Sequence, residues 1–318
     1  MRVAVAPDLS PDIFLARRRT GAVATLGGAT MGTNWSVRIV EPPEGCDAAI
    51  HAVLARVIDQ MSNWEADSAI SRFNRSPIGE WMTLPDHMLG VLRAGLEVAR
   101  LSDGAFDPAV GRAVDAWGFG PGTGARGTEP SPSCPWTAIE VDGSRAMRRA
   151  DVALDFSGIA KGFAVDAVID ALRDVGVDNA LVEIGGELRG IGVKPDIQPW
   201  WVDIEAPPGL SVLPLRVALS GLSAATSGDY RRFRMAGGRR LSHSIDPATG
   251  RPVADAVASV TILHDSAMMA DAWATAILVA GPERGMALAK RHGLAARMIE
   301  RGQTPREHLS PALEAMLD

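Results

Sequence analysis

The chain has 318 residues, 47% hydrophobic and 22% charged, and 32 Lys+Arg against 38 Asp+Glu leave a formal net charge of −6. That balance suits a soluble globular chain with a full core and excludes a generally basic nucleic-acid binder. Cys46 and Cys134, the two cysteines, stand too far apart for a CxxC pair, which excludes a disulfide framework and a structural zinc cluster; no apolar run approaches the roughly 20 residues that span a bilayer.

The N-terminal stretch MRVAVAPDLSPDIFLARRR is broken by Pro7, Asp8, Pro11 and Asp12, so it lacks the unbroken apolar region of a signal peptide. Residues 1–21 read as a loose extension, and the expected location is cytoplasmic. Residues 33–40 (TNWSVRIV) alternate, with Trp35, Val37 and Ile39 on one side, and predict a half-buried strand. Residues 47–61 place Ile50, Val53, Leu54, Val57, Ile58 and Met61 on one helical face, with Asp47 as the expected N-cap. A second amphipathic helix is predicted over 86–102. The Pro/Gly/Ser-rich stretch 118–135 reads as a long loop.

A third helix is predicted over 161–175, with Gly176 as its stop. Short apolar strands are expected at 180–184, 200–204, 216–219 and 258–263, a fourth helix over about 267–280 and a fifth over about 283–293. Strands come in runs between helices, which reads as an α+β mixture and not as strict βαβ alternation. No internal repeat or linker divides the chain.

Several segments could carry chemistry. Asp271 and Thr275 are four apart on a predicted helix and share a face. A carboxylate and a hydroxyl so placed can hold a hard cation such as Mg²⁺, although the pair also occurs in ordinary helix starts. Leu154-Asp-Phe-Ser-Gly-Ile-Ala-Lys161-Gly162 leads into a helix; its small residues permit close approach, and Lys161, among only three lysines, could meet phosphate. An ordinary turn would look the same. It is not a Walker loop, and no GxGxxG follows a strand. Ser242-His243-Ser-Ile-Asp246-Pro-Ala-Thr-Gly250 holds a histidine fit for phosphate binding or proton transfer, or for a structural role, followed by a turn. Ser227-Gly-Asp229-Tyr230 and Asp103-Gly-Ala105-Phe106-Asp107-Pro108 read as polar turns. Phe106 or Trp64 could stack on a planar ring or belong to the core. No nucleophile elbow or HExxH is present.

Taken in order, ATMGT (29–33), MSNWEADSAISRFN (61–74), DGAFDPAVGRAVDAWGFG (103–120), LDFSGIAKGFAVD (154–166), ALVEIGGELRGIG (180–192), ATSGDYRRF (225–233), SHSIDPATGRPV (242–253) and ADAWATAILVAG (270–281) resemble the ApbE-type FAD:protein FMN transferase family. The resemblance covers about residues 22–300. It implies a single compact α+β, T-fold-like unit with mixed strands and flanking helices, a flavin transferase domain over 22–302 and a C-terminal tail over 303–318. It also implies Mg²⁺-dependent transfer of FMN from FAD onto a Thr or Ser hydroxyl of an acceptor flavoprotein through a phosphoester bond, with release of AMP. The partners so implied are FAD and the acceptor, with no nucleic acid and no integral membrane segment.

By the same resemblance, flavin contacts fall to Met31, Trp64, Ala105, Phe106, Asp107, Asp155, Lys161 and Ile245. Metal ligation falls to Asp271, Thr275 and, by its carbonyl, Gly158, and catalytic roles to Asp271 and to His243 near the diphosphate. Trp64 and Phe163 stand where the family frequently has Tyr. The alternatives are an FAD pyrophosphatase giving FMN and AMP, in which water replaces the acceptor hydroxyl, and a non-catalytic FAD-binding protein.

Overall fold

The computed structural model describes residues 1–6, 21–122, 136–230, 233–236 and 239–317. The predicted loop at 118–135 therefore lies mostly outside the described residues. Among the described residues the helices are α1 (Cys46–Met61), α2 (Ala69–Arg75), α3 (Asp86–Leu101), α4 (Gly111–Ala116), α5 (Ala160–Asp174), α6 (Ala267–Arg291) and α7 (Pro311–Glu314).

The centre is a sheet of eight strands among the described residues. Numbering only its strands, they are β1 (Val23–Thr30), β2 (Thr33–Val40), β3 (Ala180–Ile184), β4 (Glu187–Ile191), β5 (Ser223–Gly228), β6 (Val257–His264), β7 (Ala295–Glu300) and β8 (Arg306–Leu309). Each lies beside its neighbour in number, and every pairing is antiparallel. The sheet is open and helices flank it, so the α+β reading holds.

Alternation along the strands divides the core in two. Val37, Ile39, Val182, Val260, Ile262 and Met298 face α1, α5 and α6, in the larger core. Val40, Leu181, Leu263 and Ala295 face the other way, onto a small sheet (Arg2–Ala4, Leu215–Leu219, Trp200–Ile204) and α7.

Two margins of the chain are more ordered than expected. Arg2–Ala4 pairs in parallel with residues 215–217, and Ala4 is fully buried; residues 7–20 are outside the described residues. The expected C-terminal tail supplies β8 and α7, because Ser310 caps α7 and Leu313 enters the second core. The helix starts also differ in detail. α1 begins after Gly45 at φ 88, so Asp47 sits in its first turn instead of capping it. The last two predicted helices form one run interrupted at Gly281 (φ 76, ψ −176), which Pro282 follows. Proline restarts the second segment because it needs no N–H donor there.

Two tight turns bring the same end of the sheet together. β1 and β2 are joined by Met31-Gly32, with φ of 46 and 71, the backbone of a two-residue hairpin turn. β3 and β4 are joined by Gly185-Gly186, with φ of 63 and 105. The Gly185 N–H donates to the Asn34 carbonyl at 3.0 Å, so the turns abut.

Candidate functional site

α5 and α6 cross beside those turns, and their contact is unusually close. A Cβ on Gly162 would overlap the Ala267 carbonyl and come within 2.8 Å of the Asp271 Cβ. With only hydrogen there, the Gly162 N–H donates to Asp271 Oδ2 at 3.0 Å. The small residue anticipated for ligand approach thus serves helix packing at this position.

Asp271 is 3% exposed, and burial pushes its carboxyl up from the usual range. A buried carboxylate calls for positive charge. One source is Lys161, in the first turn of α5, whose charge opposes that shift. The ammonium of Lys161 meets Glu187 Oε1 at 2.5 Å, and Glu187 is itself buried at the head of β4. Burial also pushes Glu187 up; Lys161 opposes this and the charge of Asp271 adds to it. Two carboxylates thus share one ammonium.

One turn further along α6, Thr275 Oγ1 hydrogen-bonds the Ser227 hydroxyl of β5 at 3.0 Å. A Cβ on Gly158 would lie 2.8 Å from Thr275 Oγ1, so the Gly158 main chain rests against that hydroxyl. Asp271, Thr275, Gly158 and Lys161, predicted from two distant segments, are brought together.

The cation implied by the resemblance can be tested against these groups. Among the described residues no cluster of three or more His, Cys, Asp or Glu could hold a metal. The oxygen-bearing groups here are the Asp271 carboxylate, the Thr275 hydroxyl and the Gly158 main chain, with the Glu187 carboxylate across Lys161. That is a hard donor set of the kind Mg²⁺ accepts when substrate phosphates and water complete its shell. Glu187 Oε2 is buried without a hydrogen-bond partner, so acceptor capacity beside Lys161 is left unmet. The residues fit such an ion.

The remaining predicted residues have local settings of their own. Asp155 receives the Ser157 N–H at 2.8 Å and the Asn63 amide at 3.4 Å, while its own N–H donates to the Pro108 carbonyl at 2.8 Å. It therefore ties the 103–108 turn to the segment carrying Trp64. Trp64 is 64% exposed, an open ring beside that junction.

Asp107 accepts from the Ala109 and Trp136 N–H groups at 2.7 and 3.1 Å, and burial raises it to about 6. Ala105 and Phe106 are both buried. The Phe106 ring packs in the larger core near Gly95, which leaves its main chain, and not its ring, for a ligand. Met31 lines a shallow hollow with Thr30, Gly32 and Thr33. Its left-handed φ is rare for a residue with a side chain. The hollow adjoins Lys161 through Gly185, whose Cβ would touch both Thr33 and the Lys161 stem.

Ile245 and His243 form a second rim, against α4 and the residues that follow it. Ile245 is buried with Ala113 and Val114 of α4, and the His243 ring lies edge-on to Phe119 at 6.4 Å between centroids. The start of α4 is joined to the segment leading into the 155–162 turn, since Val110 pairs with Ala153. The Asp246–Gly250 segment is a turn as expected, closed by the Gly250 N–H on the Asp246 carbonyl. Ser227 and Gly228, expected in a polar turn, instead end β5.

Sequence reasoning passed over several of these groups. Glu187 follows two glycines in a hairpin, and that adjacency was its one signal. Asn74 fixes Leu154 through both main-chain groups, at 2.7 and 2.9 Å. Asp166 of α5 accepts from Ser266 Oγ and from the Ala267 and Met268 N–H groups at 2.7 to 3.0 Å, and pairs with Arg189. It holds the start of α6, and so the height of Asp271.

An open antiparallel sheet, two crossed helices and a buried carboxylate–lysine centre beside oxygen donors define an α+β protein with a candidate site where α5 meets α6. The family model described as the ApbE family matches residues 31–298, and the chain belongs to that family. A Vibrio cholerae protein named FAD:protein FMN transferase is 37% identical over 86% of this chain and 86% of its own length. A Haemophilus influenzae protein of the same name is 33% identical over 94% and 92%. The apo crystal structure of the Pseudomonas stutzeri flavinyl transferase ApbE superposes with a TM-score of 0.85 at 38% identity, covering 93% of this chain and 97% of that one.

Proposed function

We propose that this protein transfers the FMN half of FAD onto a Thr or Ser hydroxyl of an acceptor protein, with Mg²⁺ and with release of AMP. The names of the relatives supply the transfer of FMN from FAD to a protein, and the family resemblance adds the Thr or Ser hydroxyl, Mg²⁺ and AMP. The observation that carries it to this chain is the meeting of Asp271 and Thr275 on α6 with Gly158 and Lys161 of the 155–162 turn.

In the reaction, the acceptor oxygen forms a bond to the FMN-side phosphorus, the diphosphate bridge breaks, and AMP leaves with the bridging oxygen. The hydroxyl proton ends on AMP or in solvent. Asp271, Thr275 and the Gly158 carbonyl would hold Mg²⁺. When bound, the ion offsets the diphosphate charge and stabilises the departing AMP.

Lys161, held by Glu187, adds fixed positive potential at the start of α5, where main-chain N–H groups already favour anions. His243, on the rim beside Phe119, orients the hydroxyl or phosphate and carries the proton away. The isoalloxazine lies toward Met31, Trp64 and the 105–107 turn. There Asp107 and Asp155 fix the main chain, Phe106 backs it from the core, and Ile245 closes the far wall.

The test is incubation with FAD, Mg²⁺ and a candidate acceptor carrying a Thr or Ser site, read by mass spectrometry of the acceptor and chromatography of AMP. Transfer adds the FMN mass to the acceptor. AMP without that gain means hydrolysis, and bound FAD without AMP means storage. Asp271→Ala should abolish both the mass gain and the binding of Mn²⁺ followed by paramagnetic resonance. Unchanged Mn²⁺ affinity in that variant removes the metal assignment.

A further inference from the structure

The hairpin formed by Phe233–Ala236 and Arg239–Ser242 is a two-stranded sheet among the described residues, hydrogen-bonded to no other strand. It stands between two parts of the site. β5 with Ser227 leads into it, and His243 follows it. Side chains alternate across its two faces. On the inner face, Arg234 donates to the Trp117 and Gly118 carbonyls at 3.1 and 3.2 Å, which seats the hairpin on the end of α4, beside the rim holding His243 and Ile245.

The outer face has a different character. Phe233 is 43% exposed and Met235 63% exposed, and Met235 pairs across the hairpin with Arg240, whose guanidinium lies over the Phe233 ring at 4.0 Å. Arg240 and Arg301 both face the single buried carboxylate of Asp229. One anion between two cations leaves a surplus positive charge. Residues 230–241 contain five arginines and no acidic residue, in a chain of net charge −6. Two adjoining large apolar side chains and an arginine on an otherwise acidic molecule form a surface for recognition.

We propose that the outer face of this hairpin docks the acceptor protein through an acidic, apolar-bearing segment that flanks the hydroxyl to be modified. The inference rests on the transferase reading, and it names the partner chemistry that this reading leaves open. Charge complementarity selects the occupant: carboxylates answer Arg240, and an apolar side chain covers Phe233 and Met235. Seating on α4 brings that segment to the rim where the hydroxyl must arrive.

The experiment measures fluorescence anisotropy of two labelled synthetic peptides with the full chain, in FAD and Mg²⁺ at low salt. Each peptide has one Thr flanked by Leu, with Asp at the remaining positions in one and Lys in the other. The Asp peptide should bind about tenfold more tightly than the Lys peptide, the size of effect expected from several charges at an interface rim. Met235→Glu should remove that preference and Met235→Lys should keep it, while both retain wild-type FAD affinity. Met235 is exposed, so neither change burdens folding.

Equal binding of the two peptides, or indifference to both variants, overturns the proposal. So does binding to vesicles of phosphatidylglycerol and phosphatidylcholine in equal parts without binding to the Asp peptide, which would assign the strip to a membrane surface. AMP release measured on the same samples reports separately on the transferase reading.

Discussion

Asp107 shows how one buried carboxyl writes a pH dependence into the molecule. Burial lifts it from 3.8 to about 6 against the pull of two main-chain N–H donors. Between those values the folded chain binds more protons than the unfolded chain, so this group makes stability fall as pH rises from about 4 to 6, by at most about 3 kcal/mol, and level off above. Asp107→Asn keeps an acceptor for one N–H and cannot ionise. Urea unfolding at both ends of that window should show the wild type losing stability relative to Asp107→Asn as pH rises; parallel curves would mean that Asp107 stays ionised throughout.

At this scale much of the site was legible in the sequence. Asp271 and Thr275 pair by spacing along one helix and Lys161 stands out in its turn, while Gly158 is singled out only by the family resemblance. Glu187 was not legible, because its role depends on a hairpin folding back beside Lys161, a pairing that no local period encodes.

The α5–α6 crossing is the element-scale feature on which the site depends. Gly162 lets the helices approach until its N–H reaches Asp271, and Asp166 anchors the start of α6 from the same side. Gly162→Ala should therefore push α6 away. Overpacking of this kind costs about 1–3 kcal/mol. Denaturant midpoints should fall accordingly, and FAD affinity should fall too because Asp271 moves; full affinity in a destabilised variant would show that the two are uncoupled.

The elements that carry the site were also the easier ones to read. Thr33–Val40 declares itself by alternation, and Ala180–Ile184 by its apolar run. Val23–Thr30 does not, since an edge strand with mostly exposed positions and two glycines has no buried face to announce. Ala69–Arg75 is too short to establish a helical period, although Ser68 accepting the Ser71 N–H is the cap that would have marked it.

Across the whole molecule, the two cores share their strands. Along β7, Ala295 points to the second core while Ala296 and Met298 point to the first. The termini close the second core together: Ala4 bridges Leu317, and the Val5 N–H donates to the Met316 carbonyl. Ser310, fully buried, is the joint. Its hydroxyl accepts from the Ala296 and Leu313 N–H groups at 2.8 and 3.2 Å and donates to the Leu294 carbonyl at 2.6 Å. Ser310→Ala removes a helix cap and strands the Ala296 N–H, a combined cost of about 2–3 kcal/mol.

If the strands couple the two faces, that loss is felt globally. Native-state hydrogen exchange should then show the most protected amides of α5, on the site face, losing as much protection as those of β7. Loss confined to β7, β8 and α7 would mean that the terminal layer opens alone. The site would then sit on an independently stable half, and changes at the chain ends would leave FAD binding untouched.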